Sequence, residues 1–521
     1  MIHEMTKSPE RFQIDQLLNE AAFPHPVSEM RLLETHISWI ILTGEFAYKI
    51  KKPVSFDFVD YSTLEQRKIN CQKEVELNSR YCPAIYLDVV PIFLKREQLT
   101  VGECFADSHQ ESPVEFAVKM REFSQQSILA QLLRDSKLSP ERMEQFAATV
   151  AEFHRQEPPV PVGDLEREAE KLHAEVKDNF DVLQPSLSGT AQAATLESIS
   201  AWTEKTYQRI LPGIKDRIQN GFLKSCHGDL HLNNIILFED KLVPFDGIEF
   251  NPHLQTIDTL NEVAFLFMDL MAHGHGAHAW RFLNTYLELE GGYESLDVFR
   301  FFSVYRAMVR AKVAWINCQS CAASTHNPSW VKERSADEEP GDKKRREPAH
   351  AWDHYLEFAE KVVTENKPTL TITFGFSGSG KSTKALQQVE KDGGIRIRSD
   401  VLRMQLKNKD LSAPLYSDTT SDQVYRDLRD QSRLILNAGF SVVADATFLS
   451  RKHRKWFREL ASELNIDFQI LACQADTEVL RSRIKSRAND PSEATVQVLQ
   501  KQVENHDPLD AQEQSLIVSS E

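Results

Sequence analysis

The sequence predicts a multidomain protein of mixed class: an α+β unit made of two lobes, followed by an α/β unit layered α/β/α around a parallel sheet. Three observations predict it. The chain has 521 residues, well past the roughly 250–300 at which a single hydrophobic core stops growing. Residues 370–389 read as a buried strand, a glycine-rich turn and a helix, the usual opening of a parallel sheet of this kind. Upstream, short strands within residues 1–124 give way to long amphipathic helices over 125–364, as in a small β-rich lobe resting on a larger helical one.

Composition bounds the function. With 41% hydrophobic and 26% charged residues, 19 Gly and 22 Pro, the chain belongs with globular proteins rather than disordered or fibrous ones. No window approaches the roughly 18 apolar residues of a membrane span, so no membrane partner is expected. Met1-Ile2-His3-Glu4-Met5 lacks the basic flank and apolar run of an export signal. Seven cysteines, an odd number scattered over the chain, suit a reducing cytoplasm. From Pro368 onward 21 basic residues balance 21 acidic ones, so residues 1–367 hold 61−21=40 basic against 77−21=56 acidic and carry the whole net charge of −16. That excess disfavours nucleic acid and either attracts a cationic substrate or serves solubility.

Taken in order, residues 8–35 read as a helical preamble, with Phe12, Ile14, Leu17 and Leu18 at helical spacing before Pro24 and Pro26. Two strands, 36–42 and 46–52, flank a turn at Thr43-Gly44-Glu45. A helix over 64–81, strands at 86–94 and 115–120, and a hinge at 120–125 complete the small lobe. Helices at 127–134 and 140–155 follow, then amphipathic helix over 164–220 broken near Pro185. Arg306, Arg310 and Lys312 fall on a helix over 301–317 and predict a partly exposed face. The charged run Lys332–Glu347 predicts a mobile solvated loop at about 323–348. A helix over 351–363 and a linker at 365–369 lead to the second unit, 370–521. His273-Gly274-His275-Gly276-Ala277-His278 reads as a helix-terminal loop, since no Cys or acidic ligand accompanies it at metal-site spacing. Cys318-Gln319-Ser320-Cys321 is a single pair with no zinc or redox context.

Chemistry concentrates first in Cys226-His227-Gly228-Asp229-Leu230-His231-Leu232-Asn233-Asn234. An Asp five residues before an Asn puts a base and a metal ligand on one rigid loop, which phosphoryl transfer needs because it is mainly positioning and charge neutralisation. Val243-Pro244-Phe245-Asp246-Gly247 adds a second acidic group after a short hairpin. The pattern resembles the HGDxHxxN loop of the aminoglycoside phosphotransferase and choline kinase superfamily, whose fold is protein kinase-like. The resemblance implies that Asp229 faces an acceptor hydroxyl and that Asn234 and Asp246 hold magnesium. It implies further that Lys49, within Ala47-Tyr48-Lys49, pairs with nucleotide phosphates and that Glu74, chosen over Glu76 by position alone, orients that lysine. Asp258 and Glu262 fall where the family places a structural acid. No GxGxxG loop is present, and the turn before Lys49 holds only Gly44.

The second concentration is Gly375-Phe376-Ser377-Gly378-Ser379-Gly380-Lys381-Ser382, with Thr383 continuing into a helix. Its glycines let backbone N–H groups and the helix N-terminus face phosphates, Lys381 reaches the β- and γ-phosphates, and Ser382 ligates magnesium. A second strand ends in Asp400-x-x-Arg403 and a third in Asp445-x-Thr447; a fourth is predicted at 467–473 and a fifth at 516–519. The arrangement resembles small P-loop NTPase-fold kinases, polynucleotide kinases and zeta-toxin-like kinases in particular. The resemblance implies that Asp400 accepts the acceptor's proton, that Arg403 binds an anionic substrate, and that Asp445 lies near magnesium and substrate. Of Arg451, Arg454, Arg483 and Arg487 on the helices downstream, Arg483 and Arg487 share a face at i,i+4 and are the candidates for lid arginines.

Both units in this order resemble a bacterial fusion family described as bifunctional phosphotransferase and ATP-binding proteins, over about Leu42 to Gln502. The resemblance implies an ATP- and Mg2+-dependent kinase with a small hydroxyl-bearing acceptor. Two other readings stay open: a first unit that is a ligand-binding pseudokinase, and a second unit that is a nucleic-acid end kinase using Arg451-Lys452-His453-Arg454-Lys455-Trp456. The oligomeric state is open as well.

Overall fold

The structure, a computed structural model, describes residues 13–56, 59–102, 112–323, 352–364, 367–408, 418–486 and 495–518. Phe12, Arg487 and the charged run Lys332–Glu347 lie outside the described residues.

The small lobe is a six-stranded antiparallel sheet. Its strands are β1 (Arg31–Glu34), β2 (Ser38–Leu42), β3 (Phe46–Lys51), β6 (Tyr86–Lys95), β7 (Gln98–Val101) and β8 (Glu115–Arg121), in the order β1-β2-β3-β8-β6-β7. A two-residue hairpin, β4 (Ser55–Phe56) with β5 (Val59–Asp60), leads to helix α1 (Leu64–Ser79), which packs on β6 and β8. Thr63 and Gln66 close α1's N-terminus with a capping box. Two expectations are corrected here. Residues 14–22 form only short 3-10 turns, and 31–34 pair with β2 as an edge strand rather than helix. A hairpin through Arg96 and Glu97, both at positive φ, adds β7.

The larger lobe is helical: α2 (Leu129–Arg134), α3 (Pro140–Gln156), α4 (Leu165–Leu187), α5 (Ala193–Gln219), α6 (Pro252–Gln255), α7 (Thr259–Ala272), α8 (Gly276–Glu290), α9 (Leu296–Ala323) and α10 (Asp353–Val363). Pro185 lies inside α4 and Pro212 inside α5, so the break falls after Leu187. Two small antiparallel sheets, β9 (Leu223–Ser225) with β12 (Thr256–Asp258) and the hairpin of β10 (Ile235–Phe238) with β11 (Lys241–Pro244), carry the loop that holds Asp229. α7 is buried all round, its Asp258 cap clasped by both guanidinium arms of Arg217 at 2.7 Å. Arg306 on α9 is buried and donates to Asn261 at 2.7 Å, whereas Arg310 and Lys312 on the same helix stay partly exposed as expected.

The second unit holds a parallel sheet, β13 (Thr369–Phe374), β14 (Ile395–Arg398), β15 (Val442–Asp445) and β16 (Asp467–Ala472), in the order β14-β15-β13-β16. Helices α11 (Lys381–Asp392), α12 (Ser399–Asn408), α13 (Asp418–Asn437), α14 (Arg451–Glu463), α15 (Thr477–Lys485), α16 (Val496–Glu504) and α17 (Ala511–Gln514) complete it. All the pairings are parallel, so the strand C-terminal ends lie along one edge. The expected fifth strand reduces to a single bridge between Ile517 and Ile470. An apolar core runs on from the helical lobe into this unit, through Phe267, Phe299 and Phe440. No helix among the described residues is long and apolar enough to cross a membrane.

Candidate functional sites

In the second unit, local sequence builds the site. β13 delivers the chain to Gly375, where an added Cβ would meet the Cys473 carbonyl oxygen at 2.3 Å, and Gly378 and Gly380 both sit at φ +85°. Only glycine tolerates both constraints. The loop then turns directly into α11, leaving its first N–H groups aimed at the space above the sheet. Lys381 curls back to the Phe376 carbonyl at 2.8 Å. Asp445 ends β15, Asp400 lies in the first turn of α12 and Arg403 follows one turn on. These residues, the loop and Arg483 line one cavity of about 1170 Å³.

Asp445 is buried and its Oδ2 has no hydrogen-bond partner. A buried carboxylate oxygen left alone is costly, and beside Ser382 on the same cavity it fits a hard divalent cation with oxygen ligands. Residues far off in sequence brace the loop. Gln502 on α16 accepts from Ser377 N at 2.9 Å and donates to Ser377 Oγ at 3.1 Å, and Arg483 donates to the Gly378 carbonyl at 3.3 Å. Gln502 was invisible in the sequence, 125 residues from its partner. Arg454, by contrast, is buried against Glu513 at 2.7 Å and is no surface or lid residue.

The first unit's loop is differently constituted. Asn234 donates to Asp229 Oδ2 at 2.9 Å, and His231 lies 3.3 Å from the same oxygen. Burial alone would raise Asp229, but His231, with Arg310 and His227 farther off, holds it well below the usual carboxylate range. Glu262 accepts from Gly228 N at 2.9 Å, and Asp269 accepts from Leu232 N at 2.9 Å and from Tyr355 at 2.9 Å. The loop is thus pinned by two buried acids of α7. His273 caps the C-terminal end of α7 and pairs with Asp269. His154, Cys226 and Glu262 cluster at metal-ligand range, yet His154 spends both ring nitrogens on Glu262 and Tyr286.

Lys49 donates to Glu74 at 2.7 Å and also pairs directly with Asp246. Lys51, fully buried, bridges the other Glu74 oxygen at 2.7 Å to Glu249 at 2.5 Å, and Tyr61 donates to Glu249 at 2.8 Å. Burial opposes charge on Glu74, but the two lysines pull its pKa down to about 2. Lys51 and Glu249 were missed because their pairing spans 198 residues. Asn234 spends its amide nitrogen on Asp229, and Asp246 shares Lys49 with Glu74.

The missing glycine loop also takes a different place. In a kinase-like lobe the phosphate-covering turn joins the two strands before the lysine strand. Here that turn is Thr35-His36-Ile37, not Thr43-Gly44-Glu45. It contains no glycine, and Lys52 binds the Thr35 carbonyl. At the opposite end Thr43 and Gly44 give their N–H groups to Glu122, at 3.1 and 2.8 Å.

The glycine loop on its strand and helix is the observation that decides the second unit. Residues 370–509 match the AAA domain family. Across most of its length the chain is also similar to uncharacterized proteins of Mycobacterium tuberculosis (strain ATCC 25618 / H37Rv) and Mycobacterium bovis. Each is 27% identical over 489 residues, 91% of this chain and 90% of the relative. Among solved structures, a choline/ethanolamine kinase family protein from Mesorhizobium loti is 11% identical, covering 63% of this chain and 87% of its own, at a TM-score of 0.36. A Mycobacterium tuberculosis APS kinase in complex with AMPPNP and APS is 22% identical, covering 23% and 70%, at 0.21. A gluconokinase from Sinorhizobium meliloti is 22% identical, covering 29% and 82%, at 0.23.

Proposed function

We propose that the chain is an ATP-dependent phosphotransferase with two nucleotide sites, in which the AAA-domain site moves a γ-phosphate to a hydroxyl of a small molecule. The observation that carries this is the single cavity shared by Lys381, Ser382, Asp400, Arg403 and the unpartnered Asp445 oxygen. In this reading the loop N–H groups and Lys381 bind the β- and γ-phosphates, while Ser382 and Asp445 hold magnesium. Magnesium there would supply charge neutralisation as the phosphoryl group leaves. Asp400 orients the acceptor hydroxyl and takes its proton, and Arg403 holds an anionic part of the acceptor. Arg483, with Arg487, faces the transferring group, and Gln502 keeps the loop in shape. In the first unit Asp229 plays the part of Asp400, and Lys49, oriented by Glu74, contacts nucleotide, with Asn234 and Asp246 toward the metal.

Single-turnover assays with γ-labelled ATP test the ranking. Lys381→Ala removes most ATP use and Asp229→Ala little; loss of all ATP use in Asp229→Ala alone reverses it.

A second reading makes the first unit a ligand-binding pseudokinase that regulates the second. The direct Lys49–Asp246 pair and the glycine-free Thr35-His36-Ile37 turn favour it. Mg-ATP affinity persisting in a full-length Lys381→Ala chain would count against it. The nucleic-acid end-kinase reading gains nothing from the basic stretch on α14. Lys452 and His453 pair with Asp422, and Arg454 with Glu513.

A further inference from the structure

β14 is the outer strand of the parallel sheet, and its exposed edge is covered by α8 of the helical lobe. Unpaired strand edges invite wrong partners, so covering one is a structural need in itself. The covering is specific. Asn284 on α8 is buried and accepts from Arg396 N at 2.6 Å while donating to the Gly394 carbonyl at 2.9 Å. A side-chain amide thus stands where the next strand's peptide would be. Trp280 lies on Gly393, where an added Cβ would meet the indole at 3.0 Å, and Arg281 joins Glu390 of α11 to Glu144 of α3.

One turn beyond Asn284, Glu288 reaches over the same strand toward the phosphate loop. Its Oε1 accepts from Arg398 at 2.9 Å and its Oε2 lies 3.5 Å from Arg396. The two arginines alternate along β14, so they share a face, and their side chains are only 12% and 13% exposed. Arg396 goes on to donate to the Ser382 carbonyl at 3.1 Å, in the first turn of α11. Both guanidiniums feel the charge of Asp445, which ends the neighbouring strand with one oxygen unpartnered.

Two largely buried cations beside a buried carboxylate have an obvious alternative arrangement, in which one of them closes on the open Asp445 oxygen. Such a pair would neutralise the carboxylate that a divalent cation needs. Glu288 competes for both arginines from the α8 side, with Glu144 also acting on Arg396 and Asp400 on Arg398. The geometry points to Glu288 as a positioning residue of the phosphate-loop site contributed by the other unit. It holds Arg396 on the Ser382 carbonyl and both guanidiniums away from Asp445, which stays open to magnesium. This rests on reading the loop as a Mg-nucleotide site. It also gives the fusion of the two units a chemical reason, since one side chain of the kinase-like lobe completes the surroundings of the other unit's metal ligands.

The test uses the full-length chain and the fluorescent analogue mant-ATP, titrated with Mg2+ and again in EDTA, in wild type, Glu288→Gln, Glu288→Asp and Lys381→Ala. The binding lost in Lys381→Ala defines the phosphate-loop component. Glu288→Gln is expected to weaken the Mg2+-dependent part of that component about tenfold, the low end for removing a group behind a metal ligand, with EDTA binding unchanged. Glu288→Asp, which keeps the charge, recovers most of the loss. Three results overturn the inference. A Glu288→Gln chain that matches wild type in the Mg2+ titration while Lys381→Ala is impaired, or that loses affinity equally with and without Mg2+, as a plain interface contact would, removes the role of Glu288 alone. A Lys381→Ala chain that keeps all binding removes the site reading and the inference together.

Discussion

The two candidate sites differ in how they treat charge. Around Lys49, Lys51, Glu74, Asp246 and Glu249 every described charge has an opposite partner from the same chain. Around Lys381 and Asp445 the lysine rests on a backbone carbonyl and the carboxylate keeps an oxygen open. A ligand entering the first site must displace ion pairs the protein already makes, whereas in the second a cation supplies the partner that the buried Asp445 oxygen lacks. The cost of a buried polar group without a partner is therefore retained at the second site and cancelled at the first. The lesson is that motif completeness and readiness for ligand are separate properties.

The largest effect expected from that contrast is Lys381→Ala. If the phosphate loop dominates, single-turnover phosphoryl transfer falls by about a hundredfold or more, the scale of losing one preorganised donor to transition-state charge. Asp229→Ala measured beside it leaves most of the signal. A reversed order would break the comparison outright.

Next in size is Lys51→Ala. Removing one member of a buried ion pair leaves an uncompensated charge and costs about 3–5 kcal/mol, read as a drop in the urea midpoint of the unit that holds β3. An unchanged midpoint would mean that the network around Glu74 is not the structural bolt the burial of Lys51 indicates.

Acid sharpens the same point. Glu74's pKa is depressed to about 2 from an ordinary 4.5 by Lys49 and Lys51, against its burial. A depressed carboxyl contributes stability that is fully present above its unfolded pKa and is lost as pH falls from about 4.5 toward 2. Urea midpoints taken across that window should fall in wild type and fall less in Glu74→Gln, which has no proton to take up. Equal slopes would remove the assignment.

How much of this was legible in the sequence follows from how local each feature is. The phosphate loop needs one strand, eight residues and one helix, all contiguous, so glycine spacing alone reveals it. Asp229, Asn234 and Asp246 are nearly as compact. Lys51 looked like one more lysine in Lys49-Ile50-Lys51-Lys52, because its burial is created by Glu249 from the far lobe. Arg306 looked solvated for the same reason, its partner Asn261 lying on another helix. β1 was unreadable because a four-residue edge strand has too few positions to show a period of two, and Leu32-Leu33 fits a helix equally well. The covering of β14 by α8 lies beyond any single-segment pattern, since it depends on how two units pack.

The smallest effect concerns the basic stretch of α14, where the two sites are not involved. Arg451 and Lys455 are its most exposed cations, at 60% and 64%, and their acidic neighbours Asp510 and Glu459 lie at 3.8 and 3.7 Å. Contacts of that length at the surface contribute little. The double substitution Arg451→Ala, Lys455→Ala should leave stability within about 0.5 kcal/mol. Because the intervening cations are already neutralised by Asp422 and Glu513, it should also leave any retention of a labelled single-stranded oligonucleotide unchanged. A polymer acceptor would behave otherwise. Binding that weakens steeply with salt, and weakens again when those two cations are removed, is the behaviour of phosphate contacts and would replace the proposed small-molecule acceptor of the second site with a nucleic-acid end.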